Sequence, residues 1–166
     1  MDFSSQIARM LHDEHITELA RFERLQRELL RQGPSNPPSE PDGSLTALLI
    51  NLAAEGAPSA RHFDFEEVEL FPRLAAQGET AIGSLLSDEH VTIREIGDTI
   101  ATLAGTARRD GFTAESWREF HRLGVELTER TISHIHKEEM GLLPMVEDML
   151  EEDEDSQLAM AYMATR

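Results

Sequence analysis

The chain has 166 residues, with 32 Asp and Glu against 15 Lys and Arg, a formal net charge of −17, seven His, seven Met and no Cys. That length suits one domain, and the charge repels nucleic acids and anionic membranes. Without cysteine there are no disulfides, thiolate zinc sites, iron–sulfur clusters or thiol nucleophiles, so any metal must be held by His and carboxylate.

Leu, Ala, Glu and Arg dominate while Trp and Tyr occur once each, which favours helix over sheet. Ser4 or Ser5 is placed to cap a first helix that runs to about Gln32, where Gly33-Pro34 stops it. Residues 33–44 hold four of the seven prolines and read as a loop. Ser44 caps a second helix from Leu45 towards Gln77, which Gly56-Ala57-Pro58 should kink or break and Gly78 closes. A third helix runs from about Thr80 to Arg108. Asp110-Gly111 is a turn, and Thr113 with Ser116 opens a fourth helix that reaches about Glu152 and bends near Pro144. The run Glu151–Asp155 reads as a solvated helix end, and Ser156–Met163 as a short amphipathic segment across one end of the fold. The leader-like features of a signal peptide are missing from Met1-Asp2-Phe3-Ser4-Ser5, and the longest apolar run, 45–54, is too short to span a bilayer. A cytoplasmic protein is the expectation.

Four long helices with short or medium loops predict an all-α, antiparallel up-down-up-down four-helix bundle with a short C-terminal helix. Residues 1–155 would form the bundle, as two pseudo-repeats at about 5–77 and 80–152, with 156–166 as the tail. At about 100° per residue, Ile7, Leu11, Leu19, Phe22 and Leu29 form one stripe of the first helix, and His15 sits in its middle.

The halves repeat each other. Leu11-His12-Asp13-Glu14-His15 resembles Leu86-Ser87-Asp88-Glu89-His90, and the HxxxEExxxxP pattern from His62 to Pro72 recurs from His134 to Pro144. Residues four apart share a helix face, so His62 faces with Glu66 and His134 with Glu138. His134 shares its direction with Phe120, Leu123, Leu127 and Met145, whereas His121 and His136 point to solvent. A single His on an apolar face is usually a hydrogen-bonded core residue. Four imidazoles and two carboxylates converging inside a bundle would be costly without strong partners, and a pair of divalent cations is the natural one. Nitrogen and oxygen donors without sulfur suit iron or manganese, with zinc as a further substitute.

At these residues the sequence resembles the hemerythrin-like family, the HHE cation-binding domains, over about residues 5–150. The resemblance implies a four-helix bundle around a non-haem di-iron centre, with His15, His62, His90 and His134 as terminal ligands and Glu66 and Glu138 bridging. Glu139 matches an alternative spacing for the second bridge; Glu138 is favoured because it mirrors Glu66. Glu67 and Glu139 otherwise surround the centre, and His12 is a candidate extra ligand that its angle places on the rim. Oxygen-carrying hemerythrin has five histidines, whereas the third helix here offers only His90, with Leu86 and Arg94 four residues to either side. Of about twelve positions on two six-coordinate irons, four His, two bridging Glu and an oxo or hydroxo bridge leave about two open. Hence the expected function is a di-iron protein that responds to or handles oxygen, nitric oxide, peroxide or iron, and not a reversible oxygen carrier. Its partner would be a small diatomic or peroxide ligand; no feature specifies a protein partner. The alternative is a di-iron enzyme with peroxidase-, catalase- or oxidase-like activity, but no substrate pocket is visible, and Tyr162 and Trp117 read as packing or surface residues. A metal-free module that uses its acidic surface is a third reading.

Overall fold

The computed structural model of the protein describes residues 3–38, 45, 48 and 56–164, the side chains of 56–59 excepted. These form α1 (Gln6–Gln32), α2 (Gly56–Phe65), a π-helical turn (Glu66–Leu70), α3 (Phe71–Ala76), α4 (Ala81–Asp110), α5 (Ala114–Lys137), a second π-helical turn (Glu138–Leu142), α6 (Leu143–Met149) and α7 (Glu152–Ala164). No strand occurs among the described residues, and none of their helices is long and apolar enough to cross a membrane.

The ends follow capping chemistry. Ser5 accepts the Ala8 N–H on its hydroxyl at 3.1 Å, and Thr113 with Ser116 forms a capping box ahead of α5. Gly111, at φ 77°, sends its N–H to the Ala107 carbonyl and ends α4 in a conformation that a side chain would resist. Ser44, proposed as a cap, lies outside the described residues. So do 49–55, immediately before the expected break at Gly56-Ala57-Pro58, and from Gly56 on the chain is helical.

Long-range contacts set the topology. The start of α1 meets α6, where Ser4 and Ser5 give their backbone N–H groups to Glu147 at 2.9 Å, and its end meets the start of α5 through His121 and the Leu29 carbonyl. Asp64 of α2 pairs with Arg94 of α4, and Glu89 of α4 with Lys137 of α5. Neighbours therefore run antiparallel, up-down-up-down, as expected. The α1–α5 approach is close, because a Cβ on Gly124 would lie 2.8 Å from a Leu29 methyl.

Two expectations need correction. His121 is half-buried and not solvent-facing, because its Nε2 donates to the Leu29 carbonyl at 2.9 Å beside the Trp117 ring. Asp155 is not part of a solvated run; it is 7% exposed and accepts from Ser5 Oγ (2.7 Å) and the backbone N–H groups of Gln6 (2.7 Å) and Ile7 (3.0 Å). The first turn of α1 has donors without intrahelical partners, and this carboxylate supplies them while complementing the helix dipole. His136 is exposed, as its angle predicts.

The two π-helical turns follow from the repeated proline. Pro72 and Pro144 have no N–H, so each cannot close the usual bond to the residue four before it, and the N–H groups of Phe71 and Leu143 reach back five residues to Glu66 and Glu138. The extra residue resets the helix phase. At about 100° per residue, an unbroken helix would put Phe71 about 180° from His62 and Leu143 as far from His134. Subtracting one residue brings each to about 80°, and both are buried.

The core is consequently in two apolar layers. One contains Ile7, Leu11, Leu70, Leu74, Leu86, Leu142 and Val146 with Leu158 and Tyr162 of α7. The other contains Phe22, Leu25, Leu29, Ile93, Ile100, Trp117 and Phe120. On α1, α4 and α5 the buried histidines fall between the two layers.

Candidate metal centre

That intermediate level holds His15 from α1, His62 from α2, His90 from α4 and His134 from α5, with Glu66 and Glu138 opening the two π-helical turns. His90, His134, Glu66 and Glu138 are all 0% exposed. The six sequence-predicted residues form two groups of four: His15, His62, Glu66 and Glu138, and Glu66, His90, His134 and Glu138. Both carboxylates belong to both groups, and the distances show how. Glu66 sets one oxygen 3.2 Å from His62 Nε2 and the other 3.3 Å from His90 Nε2. Glu138 sets one oxygen 2.7 Å from His134 Nε2 and the other 3.1 Å from His15 Nε2. His15 and His62 bring their Nε2 atoms to 3.2 Å, and His90 and His134 to 3.0 Å.

The outer nitrogens explain why all four Nε2 atoms point inward. His15 Nδ1 lies 2.6 Å from Glu139, His90 Nδ1 2.7 Å from Glu67, and His134 Nδ1 2.9 Å from Glu89. His62 Nδ1 lies 3.3 Å from the Tyr162 hydroxyl and 3.9 Å from Glu14. Glu139, Glu67 and Glu89 accept from the Nδ1–H they face, and the Tyr162 hydroxyl oxygen takes that place at His62, which leaves a lone pair on Nε2. The arrangement follows the repeat. Glu14 and Glu89, of the two DEH segments, serve the HxxxE histidine of their own half, while Glu67 and Glu139 serve the DEH histidine of the other half.

The outer carboxylates are themselves held. Glu67 pairs with Arg94 (2.8 Å), Glu89 with Lys137 (2.6 Å), Glu139 with His12 (2.8 Å), and Glu14 with Arg61 (3.5 Å) and with Tyr162, whose hydroxyl donates to it. Burial opposes ionisation of all four, but hydrogen bonds outweigh it: His62 and Tyr162 bring the Glu14 carboxyl to about 2, and His90, Lys137 and His15 respectively lower Glu67, Glu89 and Glu139. His12, Glu67 and Glu139 thus stand outside the two groups, around them. Tyr162 packs in the core, one of the two roles the sequence suggests, and does more: fully buried on α7, it reaches the outer face of His62. Its ring packs on Phe65 as well, and burial and the Glu14 hydrogen bond raise its hydroxyl. Trp117 is a packing residue, donating to the Gly33 carbonyl. The roles of Glu14 and Glu89 were open to reading from their recurrence in both DEH segments; the role of Tyr162 had no local signal.

The donor set fits a pair of cations. All four oxygens of Glu66 and Glu138 are buried without a hydrogen-bond donor, and they face Nε2 lone pairs at close range. Such a cluster repels itself unless positive charge enters it. Protons are one source. Burial disfavours charged imidazole, but Glu138 and Glu139 push His15 up to about 9, Glu138 and Glu66 push His90 up to about 9, and Glu66 and Glu14 hold His62 well above the usual range. His134, His15 and His90 in turn hold Glu138 well below the usual carboxylate range, against its burial. Protonating both members of a pair, however, aims two N–H groups at each other across 3.0–3.2 Å. A cation held by each nitrogen pair and the shared carboxylates would satisfy these atoms.

The profile of the hemerythrin HHE cation-binding domain matches residues 6–146. The chain belongs to that family. Its domain binds metal cations, and the two His/Glu groups lie within the matched span. No curated protein matches the chain.

Proposed function

We propose that this hemerythrin HHE domain holds a di-iron pair, one ion at His15 and His62 and the other at His90 and His134, with Glu66 and Glu138 shared between them. The observation that carries the reading is the division of four buried, donor-less carboxylate oxygens between two nitrogen pairs. Iron is the cation that the resemblance to hemerythrin implies, and the nitrogen-and-oxygen donor set suits it as it suits manganese or zinc. When bound, such a pair supplies redox chemistry and the ability to take up small ligands. The protein's own residues then determine which side is open. Phe63 stacks on His90 with ring centroids 3.8 Å apart and Phe71 lies beyond at 6.0 Å, so apolar rings keep water from that half. Beside His15 and His62 lies a small cavity instead.

The function we infer is binding and handling of oxygen, nitric oxide or peroxide, without reversible oxygen carriage. Leu86 is in the core and Arg94 is tied to Glu67 and Asp64, so α4 adds no fifth imidazole near His90. Metal analysis and the near-ultraviolet spectrum of the aerobically purified protein test the iron pair. Stopped-flow mixing of the diferrous protein with oxygen tests the function; an adduct that releases intact oxygen on degassing refutes it. Peroxide turnover by the iron-loaded protein, lost in Glu66→Ala, would mark an enzyme.

A further inference from the structure

A cation that reaches the inner donors must pass the outer carboxylates, Glu14, Glu67, Glu89 and Glu139. All four side chains are partly exposed, between 15% and 30%, so exposure does not choose among them. Charge does. Arg61 lies 3.5 Å from Glu14, Arg94 2.8 Å from Glu67 and Lys137 2.6 Å from Glu89. Each is a fixed positive charge that an incoming dication must displace against repulsion. Glu139 differs. Among the described residues no Lys or Arg pairs with it, and its outer partner is His12 at 2.8 Å. The nearest basic residue before His12 on α1, Arg9, is turned to the carbonyls of Phe3 and Ser4.

Here the two halves depart from their repeat. The register that lays His15 on His90 lays His12 on Ser87 and Leu19 on Arg94. One half therefore sets a guanidinium on its outer carboxylate where the other sets an imidazole, and only the imidazole can offer a cation a lone pair. His12 gives its Nδ1–H to Glu139, and its Nε2 has no hydrogen-bond partner among the described residues. The Phe3 ring packs edge-to-face against it, centroids 5.6 Å apart. Behind His12 the donors continue inward. Glu139 holds His12 on one oxygen and His15 Nδ1 on the other, at 2.6 Å. The next residue, Glu138, is fully buried, with both oxygens lacking a donor and one of them 3.1 Å from His15 Nε2. A cation drawn onto Glu139 competes for the oxygen that fixes His15, and so frees that ring to turn.

We propose that His12 and Glu139 form an outer cation site, the port through which hydrated divalent cations reach the inner donors. The proposal rests on the metal pair inferred above and adds its route of loading. His12 serves passage and takes no part in holding the finished centre.

The test uses the metal-free full chain and cobalt(II) alone as the probe, whose visible absorption rises on binding nitrogen and oxygen donors. His12→Asn keeps a donor at the Nδ1 position and removes the imidazole. His12→Arg makes Glu139 like the other three outer carboxylates. Uptake should slow about threefold in the first and about tenfold in the second. A route carries ions both ways, so release from His12→Asn to a chelator should slow by the same factor and leave affinity unchanged. Mere support of Glu139 would give the reverse, normal uptake and faster release. Circular dichroism checks folding first; should His12→Arg not fold, His12→Lys carries the same comparison. Wild-type protein that takes up neither cobalt nor iron overturns the metal pair and this proposal together. Full occupancy with wild-type uptake in both variants, or release from His12→Asn that quickens as affinity falls, overturns this proposal alone.

Discussion

The two halves of the centre have the same inner donors and different surroundings. Around His90 and His134 the outer carboxylates are fixed by Arg94 and Lys137, and Phe63 lies flat on the His90 ring. Around His15 and His62 they are held by His12, Arg61 and the Tyr162 hydroxyl, and a cavity takes the place of the stacked ring. The repeat thus accounts for the matched inner residues, while their neighbours have diverged. The difference is carried by residues one layer out.

The comparison breaks most completely where the halves share an atom pair. Glu138→Ala withdraws an oxygen from each nitrogen pair, so iron per chain should fall from about two to below about one, as elemental analysis would show. Removing the metal with a chelator should destabilise both halves together, by about 5 kcal/mol or more in urea unfolding. Glu139→Gln and Glu67→Gln sharpen the contrast, because each acts on the outer nitrogen of one histidine. The first should weaken metal binding at His15 and the second at His90, each by about 10–100-fold, resolved as one weakened and one intact step in a metal titration. Equal loss at both steps from either variant would mean that the outer layer is not divided in this way.

The metal-free protein should treat the halves alike, because His15 and His90 are both raised to about 9. A folded-state value above the unfolded one, near 6.5, gives stability that is complete below about pH 6.5 and lost as pH rises through about 9, on the order of a few kcal/mol. Urea melts of metal-free protein between pH 6 and 10 would follow it. Iron uptake near pH 7.5 should accordingly release protons, measurable with an indicator dye. The smallest expected effect is that of Tyr162→Phe, which keeps the ring against Phe65 and removes the hydroxyl from Glu14 and His62. About 1 kcal/mol of stability should go, and metal binding should weaken only in the His62 half.

Much of this was open to reading in the chain. Caps at Ser5, Thr113 and Gly111 and the stripe through His15 define the long helices because capping and periodicity are local. The duplicated HxxxE spacing brings His62 with Glu66 and His134 with Glu138 because residues four apart share a face. The π-helical turns left a trace: the apolar phase slips by one residue between Glu66 and Phe71, and again between Glu138 and Leu143, each slip ending at a proline. Asp155 and Tyr162 left none. Their partners, at Ser5 and His62, lie in distant parts of the sequence, and only docking of α7 brings them together. His121 belongs with them, since its angle on α5 is outward and only the close passage of α1 at Gly124 covers it.

Tyr162 also has a bearing on how the centre comes to be assembled. A ribosome makes His15 and His62 early and Tyr162 one hundred residues after His62. A nascent chain that has already produced every inner donor therefore still lacks the hydroxyl that steadies one of them. The outer contact of His62 is thus complete only once α7 has docked.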